Sequence, residues 1–340
     1  MLTDPFFKFY DINNKALLTG GALFYILMTQ KKATFCIAVY NDTETLKETI
    51  ANIYETVVPE DIDIIVVDDS GTMNASVLSM FPDVQLLINE KRQGVGYSLY
   101  RAVEAAKTNI VFPMGCDIRF SGDWMPRFLQ VVRDNPKSLV STVCAGLNNE
   151  RRYLKGGENH YHAARILFKV TEANNRRVLP FRAYLEAKWG NKLTGDVEEV
   201  GCALGAFYGT MRDWYMKVST QNLHQCWGTL EPWLSMSYYL HGGNCLIDLG
   251  TITGHIFMQA SSQKPVKDLI YNKLVTAYLY LPRDMEAEVF QWARTLAASD
   301  GAFKSFEQRK PEMQEARAFK ESFTDEQIRT LLKPTGVLDI

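Results

Sequence analysis

The chain has 340 residues, of which 46% are hydrophobic and 22% are charged, and its formal net charge is −2. This length is enough for one large domain or two ordinary ones, each with a sizeable core. The charge is so close to zero that no overall electrostatic field would select a partner.

Signals for membrane insertion, secretion and disulfide formation are weak in this sequence. The longest early apolar run, residues 22–28, is too short to span a bilayer. It also lacks the charged start and the small-residue cleavage site of a signal peptide. The six cysteines form no CxxC pair, so we expect reduced core residues in a cytoplasmic protein without a membrane partner.

Strand-like and helix-like segments alternate regularly from residue 34 to residue 145. Short runs rich in Val and Ile, separated by helices, predict a parallel sheet covered on both faces. The predicted elements are strands at 34–40, 62–69, 84–88, 109–115 and 138–145, and helices at 43–56, 95–107 and 124–133. This pattern is typical of an open α/β domain, whose ligands lie beyond the carboxyl ends of the strands.

The pattern changes after residue 145. Residues 150–192 contain ten Lys or Arg and four Glu, a net charge of +6. From residue 264 to residue 332 the sequence is predicted to be mostly helical. We therefore expect an N-terminal appendage at 1–32, an α/β domain at 33–260 and a helical C-terminal extension at 261–340.

Two motifs lie where a nucleotide would bind such a domain. In "VVDDSGT", Asp68 and Asp69 end a strand, where paired carboxylates can accept hydrogen bonds from a base or a ribose. Capping of the next helix is an equally good interpretation. The segment "NEKRQGVGYSLYRAVEAA" is basic, then glycine-rich, then helical, as a diphosphate cradle would be, but for this motif in isolation an ordinary glycine-rich helix start is favoured. It is neither a dinucleotide fingerprint nor a Walker loop.

Two further motifs carry metal-binding residue types. In "VFPMGCDIRFSGDW", the lone carboxylate of Asp117 follows a buried strand. Divalent cations need several oxygen ligands, which ligand phosphates and water usually complete, and Mn²⁺ also accepts an imidazole. His255 in "LIDLGTITGHIF" could supply that imidazole, but a histidine beside apolar residues is more often part of the core.

The segment "WGTLEPWLSMSYYLHGGN" combines Trp227, Glu231 and Trp233 at the start of a helix. Such a cluster suits a sugar site, where rings stack on the pyranose face and a carboxylate orients a hydroxyl group. The alternative is a surface helix with aromatic core anchors.

The order of these motifs resembles that of the family 2 glycosyltransferases, which have the GT-A fold. It is most similar to the branch that contains the polypeptide N-acetylgalactosaminyltransferases. The resemblance extends over about residues 33–257, with 148–200 poorly matched. It rests on "FCIAVYND", "IIVVDDSGT", "NEKRQG", "GCDIRFSGDWMPRFL", "GCALGAFYGTMRDWYMKV", the Trp227 segment and "TGHIF".

This resemblance implies a GT-A fold, with a mostly parallel central sheet flanked by helices. It divides the domain into a nucleotide-sugar-binding half, 33–145, and an acceptor-binding half, 146–260, with the basic insertion at 150–192. It implies that Asp117 and His255 bind Mn²⁺ or Mg²⁺. The residues implied to hold a donor, most simply a UDP-sugar, are Ala38, Tyr40, Asp68, Asp69, Arg92, Gly94, Cys116 and Asp117.

The same resemblance implies a catalytic role for Asp117 and Glu231. Glu231 would be either a general base or a group that orients the sugar, with Glu198 and Glu199 as competitors. The implied acceptor or sugar contacts are Gly205, Ala206, Trp227, Gly228, Glu231 and Trp233. The chain departs from the family pattern at three places. Gly115 replaces the first acid of the metal motif, and Tyr97 and Leu99 replace arginines. Glu231 lies one position after the place where the family has its Glu.

The basic insertion suggests two kinds of acceptor. Basic residues interleaved with aromatic ones suit an acidic polymer with stacked bases, such as DNA with a hydroxymethylated base that is flipped out of the duplex. A solvated basic face is at least as good an explanation, and peptide Ser/Thr glycosylation is the alternative activity. A non-catalytic nucleotide-sugar-binding protein is a further alternative, whereas a nucleotidyltransferase or dehydrogenase is disfavoured by the absent dinucleotide fingerprint.

Overall fold

A computed structural model describes residues 8–9, 18–19, 31–150, 152–162, 164–170, 179–190, 193–205, 207–257 and 265–339. Most of the expected appendage at 1–32, parts of the basic insertion and the predicted acceptor contact Ala206 lie outside these residues. The strands, helices and contacts are those of the described part of the chain.

A ten-stranded mixed sheet forms the centre of the fold. The strands are β1 (Lys8–Phe9), β2 (Leu18–Thr19), β3 (Ala33–Val39), β4 (Ile62–Asp68), β5 (Val84–Ile88), β6 (Ile110–Gly115), β7 (Ile118–Arg119), β8 (Ser138–Leu147), β9 (His160–Tyr161), β10 (Ala164–Lys169), β11 (Tyr184–Trp189), β12 (Val197–Glu199), β13 (Tyr208–Met211) and β14 (Asn244–Ile256). Strands β1 and β2 pair with each other, as do β10 and β11.

Parallel pairing dominates the nucleotide half of the sheet. Strand β3 pairs in parallel with β4 and β6, and β4 with β5. Strand β13 then runs antiparallel between β6 and β8, and β14 pairs in parallel with β8. The predicted α/β class is confirmed, and antiparallel strands join the two halves.

Ten described α-helices surround the sheet and form the C-terminal region. They are α1 (Thr43–Thr56), α2 (Val95–Ala105), α3 (Met125–Asp134), α4 (Arg212–Val218), α5 (Leu230–Leu240), α6 (Val266–Tyr280), α7 (Arg283–Arg294), α8 (Ser299–Arg309), α9 (Gln314–Glu321) and α10 (Asp325–Leu332). None of these helices combines the length and the apolar character that crossing a membrane requires.

Two apolar cores cover the two faces of the sheet. One contains Leu46 and Ile50 of α1 and Phe128 of α3. The other contains Val103 of α2 and much of α5 and α6, including the fully buried Tyr271. Burial of this apolar surface is the main stabilising contribution to the fold.

All eight predicted elements between residues 34 and 145 are confirmed to within two residues at each end. The hairpin of β10 and β11 was not predicted, although in β10 the residues Ala164, Ile166 and Phe168 are buried and alternate with less buried ones. This period of two is the signature of a strand.

Candidate active site

Three parallel strands end at one edge of the sheet and bring the predicted donor residues together. Ala38 pairs in register with Gly115, and Val39 pairs with Asp68. Tyr40 and Cys116 therefore follow neighbouring strand ends. This edge is where ligands bind in open α/β sheets.

Asp68 and Asp69 are buried and shape this edge. The oxygens of Asp68 accept hydrogen bonds from the backbone N–H groups of Ser70, Thr72 and Met73 at 2.8, 3.1 and 2.9 Å. Burial alone would raise the pKa of the Asp68 carboxyl, but these bonds and one from the Ser70 hydroxyl lower it. Asp68 therefore acts mainly as the cap of the following turn.

Asp69 holds the glycine-rich segment in place. Its Oδ1 accepts hydrogen bonds from Asn89 Nδ2 at 2.8 Å and from the backbone N–H of Gln93 at 2.7 Å. Its Oδ2 accepts one from the backbone N–H of Gly94 at 2.8 Å. Gly94 has a φ of 112°, which is unfavourable for residues with a side chain.

Tyr40 and Arg92 form an exposed stack beside these strand ends. The guanidinium carbon of Arg92 lies 3.9 Å from the centre of the Tyr40 ring, and Tyr40 is 44% exposed. A planar cation over an accessible aromatic ring is a suitable platform for a base.

The two predicted metal ligands lie side by side. His255 Nε2 is 3.2 Å from Asp117 Oδ2, and the side chains are 22% and 25% exposed. The register explains this proximity, because β7 pairs antiparallel with the end of β14 and places His255 opposite Ile118. The backbone N–H of Ile256 also donates to the carbonyl of Asp117 at 3.0 Å.

A buried arginine fixes the turn that carries Asp117. Arg119 is fully buried and donates to Thr49 Oγ1 at 2.6 Å and to Glu48 at 2.5 Å. Thr49 in turn donates to the carbonyl of Cys116. Burial raises the pKa of the Cys116 thiol well above its usual value, and the nearby Asp117 adds to this shift.

The donor set fits a divalent cation. Two ligand atoms at right angles on a metal, each about 2.1 Å away, are about 3 Å apart, close to the observed 3.2 Å. In the described residues no cluster of three or more His, Cys, Asp or Glu side chains could hold an ion alone. A cation at Asp117 and His255 therefore requires oxygen atoms from a bound ligand or from water.

A cavity of about 260 Å³ lies between β11 and the start of α5. Its walls include Trp189 and Trp227, and its charged groups are Arg182, Glu186 and Glu231. Trp227 is 49% exposed. Aromatic walls with a few fixed polar groups are typical of a small-molecule site.

Glu231 faces this cavity from the first turn of α5. A Cβ added at Gly205 would lie 2.2 Å from Glu231 Oε1, so the acceptor-type loop lies directly against the carboxylate. Burial is the largest cause that raises the pKa of Glu231, and the nearby carboxylate of Glu186 raises it further. The backbone N–H of Glu231 and the side chains of His255 and Arg182 lower this pKa, but by less.

Three further residues that the sequence suggested for the sugar or catalytic site do not line the cavity. Trp233 is fully buried and donates from Nε1 to Thr220 Oγ1 at 2.8 Å, which makes it a core anchor and does not favour the predicted sugar contact. Glu198 accepts a hydrogen bond from the backbone N–H of Gly195, and Glu199 accepts one from the Tyr239 hydroxyl. Both glutamates lie on edge strand β12, which pairs with the opposite end of β14 from His255.

Several described basic residues of the insertion 150–192 are engaged in ion pairs. The pairs are Arg152 with Glu48, Arg165 with Asp339, Lys169 with Glu288, and Arg182 with Glu186. The buried Lys273 of α6 also contacts Glu186 at 2.7 Å. The C-terminal helices therefore hold the β10–β11 hairpin and with it the cavity wall, a role that the sequence pattern did not indicate.

A known protein family matches part of this chain. Residues 34–187 match the model of glycosyl transferase family 2. Residues 34–187 are thus similar to family 2 glycosyltransferases. This match supports the predicted resemblance to the family 2 glycosyltransferases. No curated protein sequence matches the chain significantly.

A solved glycosyltransferase structure has a similar fold, which confirms the predicted GT-A fold. The crystal structure of GalNAc-T7 with UDP, GalNAc and Mn²⁺ matches with a TM-score of 0.65 and 13% identity. The match covers 88% of this chain and 56% of that chain, so this chain spans little more than half of that protein's length. The mannosyltransferase PcManGT from Pyrobaculum calidifontis, in complex with GDP-Man and Mn²⁺, matches at a TM-score of 0.43 and 13% identity, over 92% of this chain and 88% of that one.

Proposed function

We propose that the chain transfers a sugar from a UDP-sugar to a hydroxyl acceptor with the assistance of Mn²⁺ or Mg²⁺. The observation that carries this proposal is the 3.2 Å contact between Asp117 and His255 at the carboxyl edge of the sheet. The similar GalNAc-T7 structure contains UDP and Mn²⁺, which supports the same donor chemistry. When bound, the cation would neutralise the departing diphosphate as a Lewis acid.

The remaining roles fall to residues of this chain. Tyr40 and Arg92 would stack on the base, and Asp69 would keep the Gly94 segment open for the diphosphate. Glu231 would accept the proton of the attacking hydroxyl group or orient the sugar, because it faces the cavity that also contains Trp227. Aromatic walls would bind one face of a single ring.

The donor assignment is tested by calorimetry of UDP with and without Mn²⁺. We expect Mn²⁺-dependent binding in the wild type and its loss in Asp117→Asn and His255→Ala. His160→Ala is the matched control, because it removes an exposed histidine of β9. Full Mn²⁺-dependent binding by the Asp117→Asn protein would refute the assignment.

For the acceptor, we propose a hydroxymethylated base of DNA. A cavity of about 260 Å³ with tryptophan walls suits one flipped ring. The ion pairs of Arg152, Arg165, Lys169 and Arg182 reduce the charge available to an extended polyanion, so recognition would depend on the cavity more than on phosphate contacts.

The acceptor is tested by incubating the enzyme with UDP-sugars and either hydroxymethylcytosine DNA, unmodified DNA or a Ser/Thr peptide. Product only on the hydroxymethylated DNA supports the proposal. Product on the peptide alone would replace it with protein O-glycosylation.

A further inference from the structure

The loop that leads into helix α5 has an unusual backbone. Cys226, Gly228 and Thr229 have φ values of 49°, 95° and 64°. Two of these are residues with a β-carbon, for which left-handed backbone is unfavourable. Such a conformation persists only where surrounding contacts hold it. The loop 225–229 carries the half-exposed Trp227 and is followed within two residues by Glu231.

One buried side chain from the C-terminal region binds this loop. Asn272 of α6 is fully buried. Its Oδ1 accepts a hydrogen bond from the backbone N–H of Gln225 at 2.9 Å, and its Nδ2 donates to the carbonyl of Gln225 at 2.7 Å. The same amide nitrogen lies 3.2 Å from the carbonyl of Gly228. Asn272 thus satisfies polar groups at both ends of the turn.

The opposite side of the loop is attached to the donor edge. The backbone N–H of Cys226 donates to the Gln93 carbonyl at 3.3 Å, and the N–H of Val95 donates to the Cys226 carbonyl at 2.9 Å. A Cβ added at Gly94 would lie 2.2 Å from the nitrogen of Cys226, so the two segments touch. The backbone N–H of Gly94 in turn donates to the carboxylate of Asp69. The loop therefore lies between Asp69 and Asn272.

We propose that Asn272 is a positioning residue that keeps the loop 225–229 in its left-handed conformation, so that Trp227 and Glu231 are presented to the cavity between β11 and α5. The inference rests on the proposed function, because it assigns the role of Asn272 to that same site. It also gives the C-terminal helices a part in the reaction, although the Asn272 side chain contacts the loop and His224 and does not line the cavity.

Two variants of Asn272 separate its contacts. Asn272→Asp keeps the acceptor oxygen for Gln225 and removes the amide donor, whereas Asn272→Ala removes both. Thr276→Val is the matched control, because Thr276 is fully buried one turn later in α6 and its hydroxyl donates within the helix, to the Asn272 carbonyl at 2.6 Å. All measurements use the full chain.

We expect both Asn272 variants to lower kcat by at least about tenfold, as loss of one buried hydrogen bond at the site allows. The calorimetric Kd for UDP with Mn²⁺ should stay within about twofold, because Asp69 still holds Gly94. Amide hydrogen exchange should become faster at residues 224–231. Thr276→Val should change neither kcat nor this exchange.

Adding Cys226→Gly to Asn272→Ala should restore part of kcat, because glycine adopts the left-handed backbone without the cost that Asn272 offsets. Unchanged exchange at 224–231 in Asn272→Ala, or a kcat equal to that of Thr276→Val, would overturn the inference. Wild-type protein that binds no UDP would refute the proposed function instead, and the exchange data would still decide whether Asn272 holds the loop.

Discussion

The carboxylate of Asp117 occupies the space that a side chain at Gly115 would need. A Cβ built on Gly115 would lie 2.5 Å from Asp117 Oδ1, while the other carboxylate oxygen lies 3.2 Å from His255 Nε2. Gly115 stands where the resembling family has an acid. In this chain the missing side chain therefore lets Asp117 turn towards the strand and face His255.

Replacing Gly115 should weaken the metal site even when the new residue is an acid. Gly115→Ala adds only the Cβ, and Gly115→Asp adds a like charge as well, so both should displace the Asp117 carboxylate. We expect Mn²⁺-dependent UDP binding to weaken several-fold in Gly115→Ala and further in Gly115→Asp, measured by calorimetry.

Gly146→Ala provides the control for this pair, because a Cβ there meets its nearest neighbour at an ordinary 3.5 Å. Tighter Mn²⁺-dependent binding in Gly115→Asp would mean that the position accepts a second acid, and that the placement of Asp117 over Gly115 has no functional importance.

The stack of Tyr40 and Arg92 predicts where the base binds. Removing the ring in Tyr40→Ala or the cation in Arg92→Ala should each weaken UDP binding by about 1 kcal/mol, or roughly fivefold, in line with exposed cation–π and stacking contacts. Tyr40→Phe keeps the ring and should bind UDP as the wild type does. If all three variants bind equally well, the base lies elsewhere.

The sequence was sufficient to predict the strands and helices of the nucleotide-sugar-binding half, because the patterns that indicate them are local. Buried parallel strands are continuous apolar runs, and each predicted strand and helix there could be recognised from its own residues. The approach of His255 to Asp117 depends on the pairing of β7 with β14. That contact between distant segments was inferred from family resemblance and not from any periodicity.

There is a physical reason why the sequence did not predict the wall of the cavity. Arg182 and Glu186 lie in the basic insertion, for which a solvated face was at least as good an explanation, and no motif singled out Lys273. Their ion pairs join β11 to α6, which are far apart in the sequence. Likewise Trp233 looked like a sugar platform, because helical spacing alone did not distinguish it from a core anchor.

The raised pKa of Glu231 predicts a pH dependence of activity. A general base must be ionised, so the acid limb of kcat/KM should lie above the usual Glu value of about 4.3. Arg182→Gln removes a cation that favours the ionised form and leaves Glu186 less neutralised. Both effects should move the acid limb to higher pH.

Lys188→Gln is the control, since it removes an exposed cation from the same strand and should leave the limb in place. Glu231→Gln should lower kcat strongly at every pH. A Glu231→Gln enzyme with wild-type kcat and an unchanged acid limb would reject the base role and leave orientation of the sugar as the function of this carboxylate.

The buried histidine beneath the cavity loop should make the folded state sensitive to acid. Burial lowers the pKa of His224 to about 4, although Gly228 opposes the shift. Its Nε2 lies 2.8 Å from the Gly228 carbonyl and 3.2 Å from Asn272 Nδ2. In the unfolded chain the same imidazole protonates near pH 6.5.

Because the folded pKa lies below the unfolded one, the contribution of His224 is complete above about pH 6.5 and declines as the pH falls towards 4. The free energy of unfolding should decrease by at most about 3 kcal/mol over this range from His224 alone. The contribution of His224 is measured by urea unfolding of the wild type and of His224→Gln at a series of pH values.

A second histidine does not disturb this comparison. Burial also lowers the pKa of His241, but His241 contributes equally to both proteins, so its effect cancels. The control is His160→Gln, which changes an exposed histidine and should leave the pH dependence of the free energy of unfolding unaltered. If the free energies of unfolding of the wild type and of His224→Gln change in parallel with pH, the buried imidazole does not control acid stability.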